Sequence, residues 1–187
     1  MSTRILTQAL ARECFSYDPR TGALTWKVRP LEHFATVRAW KIWNKRFSLQ
    51  EAGSVNKLNN YRLIKIFGAS GKAHRHIWLL VYGESPDQID HINGIRTDNR
   101  LINLRAADRG VNAKNQAIPS NNTSGHMGVC WHVRINKWGV TIKSDGKQRH
   151  IGYFVDKSDA IAARKAAEIE FGYHQNHGRQ KPIPVRD

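Results

Sequence analysis

The sequence predicts an α+β chain, and three observations carry that reading. A central stretch from Ile89 to Gln116 runs strand, turn, loop, strand, helix. After a segment rich in Pro, Ser, Asn and Gly come three runs of alternating apolar and polar residues, followed by an alanine-rich helix. The third observation is charge. Thirty Lys+Arg against fifteen Asp+Glu give a net charge of +15 over 187 residues. Such an excess suits a polyanionic partner, because each phosphate neutralised releases condensed counterions.

The same numbers exclude other classes. A mean hydropathy of −0.57 and the lack of a long apolar run predict no membrane span. The opening MSTRILTQALARE has a short apolar patch broken by charge and does not read as a secretory signal. Cys14 and Cys130 stand far apart, with no zinc spacing, which fits a reduced cytoplasmic protein.

The elements follow in order. Thr7 can cap a helix through Phe15, with Leu10, Ala11, Cys14 and Phe15 on one face. Tyr17 to Gly22 reads as a turn into a strand at Leu24 to Val28. Residues 30 to 50 are basic and aromatic without a clean period and predict no element. Tyr61 to Phe67 alternates as a strand, Gly68 to Gly71 reads as a turn, and His76 to Val81 as a buried helix ended by Gly83 and Pro86. Ile89 to Ile92 predicts a strand, with Asn93-Gly94 as a type I′ hairpin signal. The chain returns through Arg100 to Leu104, and Asp108 can cap a helix to about Gln116. Pro119 to Gly125 reads as a linker. Strands at Val129 to Arg134, Trp138 to Ser144 and Gln148 to Phe154, with a hairpin at Asp145-Gly146, lead to a helix from Ser158 to Phe171. The tail after Tyr173 is basic and reads as mobile.

The central stretch carries the chemistry. In-line cleavage of a phosphodiester needs a deprotonated water, neutralisation of developing charge and a stabilised leaving oxygen. A histidine ordinarily titrates near neutrality, so His91 can be the base. A hard divalent ion prefers carboxylate and amide oxygens and can clamp the phosphate. Asp90, beside the base, and Asn112, on the following helix, offer such oxygens, while Asn103 can bond backbone near His91 and fix the imidazole. The competing reading makes Asn93, Asp98 and Asn99 turn formers. His74 and His76 are read as core or phosphate-facing histidines.

With AHRHIWLLVYG, IDHINGIRTDNRLINLR and RGVNAKNQ in place, residues from about His74 to Gln116 resemble an HNH endonuclease of the phage and homing-endonuclease type. The resemblance implies a ββα-metal module, with His91 as general base and Asn103 orienting it. It implies Asp90 and Asn112 as ligands of a divalent cation, Mg²⁺ with Mn²⁺ as the alternative. The third HNH letter is an asparagine here, and Asn115 competes with Asn112. Arg96, Arg100, Arg105 and Arg109 flank this site as contacts to the DNA backbone.

In the C-terminal strands, period two predicts an apolar face of Val129, Trp131, Val133, Trp138, Val140, Ile142, Ile151 and Tyr153 against the helix. Cys130, His132, Arg134, Thr141, Lys143, Gln148 and His150 would form an open polar face suited to a major groove. The stretch from Asn121 to Gly172, with its GV, KW, IGYF and alanine-rich helix, is similar to an AP2 DNA-binding domain, a three-stranded antiparallel sheet packed on one helix. Of these, His132, Arg134, Lys143, Gln148 and His150 are the expected DNA contacts.

The expectation is therefore a metal-dependent endonuclease acting on double-stranded DNA as a monomer or homodimer, with no small-molecule cofactor and no membrane partner. Its parts would be an N-terminal α+β region at 1–70, an HNH module at 71–118, a linker at 119–127, an AP2-like domain at 128–174 and a basic tail at 175–187. A catalytically inactive DNA-binding regulator is the alternative. An RNA-binding structural protein would explain the charge but not the Asp90-His91 pair.

Overall fold

A computed structural model describes residues 5–180. The chain divides into two compact units at the Asp108–Arg109 bond, so the cut falls before the short helix that carries Asn112, ahead of the segment expected to be a linker.

The first unit begins with α1 (Gln8–Cys14), whose N-terminus is capped by the Thr7 hydroxyl accepting from Leu10 N–H at 3.3 Å. It runs directly into β1 (Phe15–Tyr17), which pairs antiparallel with β2 (Leu24–Trp26). The connecting turn is held by Asp18, which accepts from Arg20 N–H at 2.9 Å and Thr21 O–H at 3.0 Å.

The stretch without a sequence assignment contains α2 (Val37–Phe47), capped by Thr36 accepting from Ala39 N–H at 3.1 Å. Its inward stripe is aromatic and amide instead of aliphatic, which hid the period. Trp40 and Asn44 both donate to the Arg29 carbonyl, at 2.8 and 2.9 Å, and Asn44 also accepts from Arg29 N–H at 2.9 Å. The buried Arg29 guanidinium stacks against Phe34, Trp43 and Phe67.

β3 (Ser54–Val55), β4 (Arg62–Ile66) and β5 (Ala69–Lys72) form an antiparallel sheet in that order. The expected turn at 68–71 is a correction. Phe67 and Gly68 take positive φ, 49° and 82°, so a two-residue hairpin turn ends there and Ala69 already pairs with Ile66. α3 (Ala73–Tyr82) follows at once and ends at Gly83. Ile64, Ile66, Ile77, Trp78 and Leu80 join Phe15, Leu24, Trp26 and Leu104 in one core. β6 (Gln88–His91) and β7 (Leu104–Ala107) then close an antiparallel ladder, His91 opposite Leu104 and Asp90 opposite Arg105.

Asn93-Gly94 does not make a two-residue hairpin. A type I′ turn needs positive φ at both positions, and of the two only Gly94 has it, at 74°. The return strand starts at Leu104, after a single 3₁₀ turn at Leu101–Asn103, later than the sequence suggested.

The second unit holds α4 (Arg109–Ala113) and a sheet of β8 (Val129–His132), β9 (Lys137–Ser144) and β10 (Lys147–Phe154) in the order β10-β9-β8, with α5 (Lys157–Glu170) packed on it. Val129, Val140 and Ala160 form its core with Trp138 and Phe154 against them. A bulge between His150 and Gly152 corrects the expected apolar face, because one extra residue reverses the alternation. Phe154 now opposes Trp138 on the helix side. Tyr153 opposes Gly139 on the open side, where its ring meets those of His132 and His150. Val133 is 75% exposed, and Arg134 lies beyond the end of β8 in the connecting turn, not on the sheet face.

Two further expectations change. Residues 119–127 carry a turn network in which Asn122 and Ser124 donate to the His126 carbonyl at 3.1 and 2.8 Å. The segment after Tyr173 is tied down as far as Arg179. His174 N–H donates to Lys114, Gly178 N–H to Gln116, and Ile118 N–H to the Arg179 carbonyl, at 2.8 to 3.0 Å. The backbone groups of two loops thus satisfy each other as an added ladder would. Pro182 and Pro184 lie outside the described residues.

Candidate active site

The loop between β6 and β7 builds the site in the first unit. Asn103, at the end of its 3₁₀ turn, accepts from Asn93 N–H at 2.9 Å, donates to the Asp98 carbonyl at 2.8 Å, and offers its own carbonyl to Ile92 N–H at 2.8 Å. One buried amide therefore clamps the backbone on both sides of the loop, just after His91. Asp98 receives Arg100 through two N–H donors, at 2.8 and 2.6 Å, which holds its carboxyl well below the usual carboxylate range.

The group that meets the imidazole is Asn99, a residue the sequence offered as a turn former. His91 Nε2 lies 3.1 Å from Asn99 Oδ1, and both side chains are buried. An amide oxygen only accepts, so Nε2 carries the proton and the lone pair of the neutral ring sits on Nδ1. His91 is 3% exposed. Burial lowers its pKa from 6.5, opposed by the Asn99 bond and by Asp90 and Asp98, and aided by Arg96. The neutral form is thereby favoured at neutral pH, as a base requires.

Asn99 is braced from far away in sequence. Tyr17 donates its hydroxyl to the Asn99 carbonyl at 3.1 Å and accepts from Leu101 N–H at 3.0 Å. Gly22, at φ +78°, passes so close beneath that a Cβ there would lie 2.6 Å from Arg100 N and 2.7 Å from Asn99 C. Only glycine fits that approach. The β1–β2 hairpin is thus a support for the site, and no local pattern in the sequence announces it.

His74, on α3, stands edge-on to His91 with ring centroids 4.9 Å apart. Its Nδ1 is buried without a hydrogen-bond partner among the described residues, and burial pushes its pKa down to about 3. It is a neutral wall for the base. His76 stacks on Phe15 at 6.0 Å, packed into the core side of the same helix.

Asp90 points to the face of the ladder opposite His91's neighbour Leu104, and its Oδ2 accepts from Arg105 Nε and Nη2 at 3.1 and 2.8 Å. Arg105 and Arg100 are therefore engaged with carboxylates and are not spare charges awaiting a phosphate. Arg96 differs, donating to the Asn59 carbonyl at 3.0 Å. Asn112 and Arg109 lie on α4, in the second unit. Asn115, the rival of Asn112, is buried with its Oδ1 accepting from Arg179 Nη1 at 3.1 Å.

Among the described residues no three His, Cys, Asp or Glu side chains gather as a metal site. Of the expected ligands the first unit holds Asp90, a hard carboxylate donor that accepts from Arg105. A sparse oxygen set of that kind suits Mg²⁺, which keeps waters and takes substrate phosphate oxygens into its shell.

In the second unit, Lys143, Gln148 and His150 are exposed on the open sheet face, with His132 beside them against Tyr153. No described helix is long and apolar enough to cross a membrane.

The strand, clamped loop and return strand around an Asp-His pair define a class. Residues 71–114 match the HNH endonuclease family. A relative extends the likeness: Protein 3.8 of Escherichia phage T7 is 34% identical over 88 residues, covering 46% of this chain and 73% of that protein. The chain belongs to the same family as Protein 3.8. No solved structure matches it.

Proposed function

We propose that the protein is a metal-dependent endonuclease that hydrolyses phosphodiester bonds in double-stranded DNA. The observation that carries this is the buried His91–Asn99 contact, which fixes the tautomer with Nδ1 as proton acceptor. In the reaction, His91 Nδ1 takes a proton from water and the resulting hydroxide attacks phosphorus. The P–O3′ bond breaks, and the 3′-oxygen takes a proton from solvent. The products carry 5′-phosphate and 3′-hydroxyl ends. By the resemblance, Asp90 and Asn112 would hold the Mg²⁺, which when bound supplies charge neutralisation for the phosphate and leaving oxygen. Asn103 keeps the loop, and Asn99 the ring, in place. Arg96 is the flanking arginine best suited to a DNA phosphate.

The C-terminal sheet is proposed as an AP2-like reader that sets where the nuclease lands. Its support is the open face bearing His132, Lys143, Gln148 and His150, with Arg134 at the adjoining turn. Joining the two functions in one chain raises the effective concentration of the active site at its target.

One observation favours a second reading, a catalytically inactive DNA-binding regulator. His91 is almost wholly covered, and Asp90 is engaged by Arg105. Nicking of supercoiled plasmid with Mg²⁺ decides. The nuclease reading expects wild-type nicking that is abolished by EDTA and by His91→Ala, with duplex affinity measured in EDTA retained. Nicking by the His91→Ala protein at the wild-type rate would remove His91 as the base.

A further inference from the structure

We infer that Tyr61, Lys72 and Arg96 form a subsite for a single DNA backbone phosphate beside His91. Three separate pieces of chain converge there: the residue before β4, the last residue of β5, and the loop after β6. Lys72 Nζ lies 4.0 Å from the centroid of the Tyr61 ring, and Arg96 Cζ lies 4.8 Å from it. The same ring is 6.1 Å from the His91 imidazole and 5.4 Å from that of His74. Two cations are thus held against one aromatic ring at the edge of the base.

What the cluster lacks is an anion. Neither Lys72 nor Arg96 has a carboxylate partner among the described residues, and the Tyr61 hydroxyl has no hydrogen-bond partner among them. Burial, with Arg75 and Arg96 nearby, lowers the Lys72 pKa. Like charges gathered around a ring repel one another, and elsewhere in this unit arginines meet carboxylates, as Arg100 and Arg105 do. Arg96 is exposed, and Tyr61 and Lys72 are half-buried, so a ligand can reach all three. A phosphodiester oxygen would relieve the repulsion and accept from ammonium, guanidinium and phenol together. The inference rests on the nuclease reading only for the phosphate's owner, a DNA strand lying across His91.

The test is affinity for a duplex oligonucleotide in EDTA, read by fluorescence anisotropy across a salt series, so that cleavage plays no part. Lys72→Met and Arg96→Met should each weaken binding roughly 5- to 10-fold and reduce the log–log salt slope by about 0.9, the value for one phosphate contact. The double variant should lose about 0.9 as well, because both cations serve one phosphate, and Lys72→Arg should restore the slope. A double loss near 1.8, an unchanged slope, or failure of Lys72→Arg to rescue overturns the shared subsite. Should a variant not fold, the unsubstituted protein answers. Adding duplex should move the Lys72 ammonium titration upward by NMR, and no movement overturns the inference. If slopes fall as described while no form of the protein nicks plasmid, the subsite stands and the nuclease reading falls.

Discussion

Replacing Asn99 by Leu tests the arrangement of the base directly. The side chains are similar in size, but leucine offers no acceptor to His91 Nε2–H, which lies 3.1 Å from Asn99 Oδ1 in a site where His91 is 3% exposed. Leaving a buried donor unmade costs about 1–3 kcal/mol. That cost falls on the tautomer with the proton on Nε2, so the other tautomer and other ring orientations gain by the same amount. If activity needs Nδ1 unprotonated, the nicking rate should fall by roughly 10- to 100-fold, since about 1.4 kcal/mol is tenfold. Single-turnover nicking of supercoiled plasmid at saturating Mg²⁺ reads this, with duplex affinity in EDTA as the control. Asn99→Asp keeps an acceptor and adds a charge that favours imidazolium, so it should retain activity better and move the acid limb of the pH–rate profile upward. A wild-type rate for Asn99→Leu, or an unmoved profile for Asn99→Asp, would refute the assignment of Asn99 as the residue that orients the base.

Other consequences follow from the same geometry. Gly22→Ala adds a Cβ 2.6 Å from Arg100 N at a φ of +78°, so thermal unfolding should show destabilisation of about 1–3 kcal/mol with a loss of nicking, whereas a surface change such as Arg20→Ala should do neither. The folded-state pKa of His74 is about 3 against 6.5 unfolded, so the unfolded chain takes the proton first as pH falls. Its contribution is complete above pH 6.5 and is lost below it, by about 2 kcal/mol at pH 5. Denaturant titrations at pH 7 and 5 should show that loss, and His74→Leu should flatten it. Asp90→Asn should depress Mg²⁺-dependent nicking at least 100-fold without weakening duplex binding in EDTA, as plasmid and anisotropy assays would show. Replacing Lys143, Gln148 and His150 together by Ala should alter the map of nicked positions more than the rate. This is a cleaner test than truncation near residue 120, because residues 114–118 are bonded to 174–179.

Much of the fold was legible because its signals are local. Thr7 is a cap whose partner lies three residues on. Asp145 and Gly146 both take positive φ, as that dipeptide predicts for a hairpin. The strand before His91, the helix before Gly83 and the alanine-rich α5 fall close to where periodicity puts them. Local signals failed where a long-range contact outweighed them. The period of α2 was obscured because its stripe serves Arg29 and an aromatic stack, not an aliphatic core. The bulge at His150–Gly152 reversed Tyr153 and Phe154, since one inserted residue switches every side chain after it to the other face.

The candidate site divides in the same way. By itself the sequence determined the residue types and their order: Asp90 and His91 on a strand, and Asn103 where the chain returns. Those depend on neighbours a few positions away. Only tertiary structure decided which atom meets the imidazole, and it chose Asn99. That choice depends on Tyr17, 82 residues earlier, bonding the Asn99 carbonyl, and on Gly22 letting two backbones approach. It also decided that Arg100 and Arg105 are paired with carboxylates while Arg96 and Lys72 share a ring. Charge is written in the sequence, but whether a charge is compensated depends on distances that only the folded chain sets.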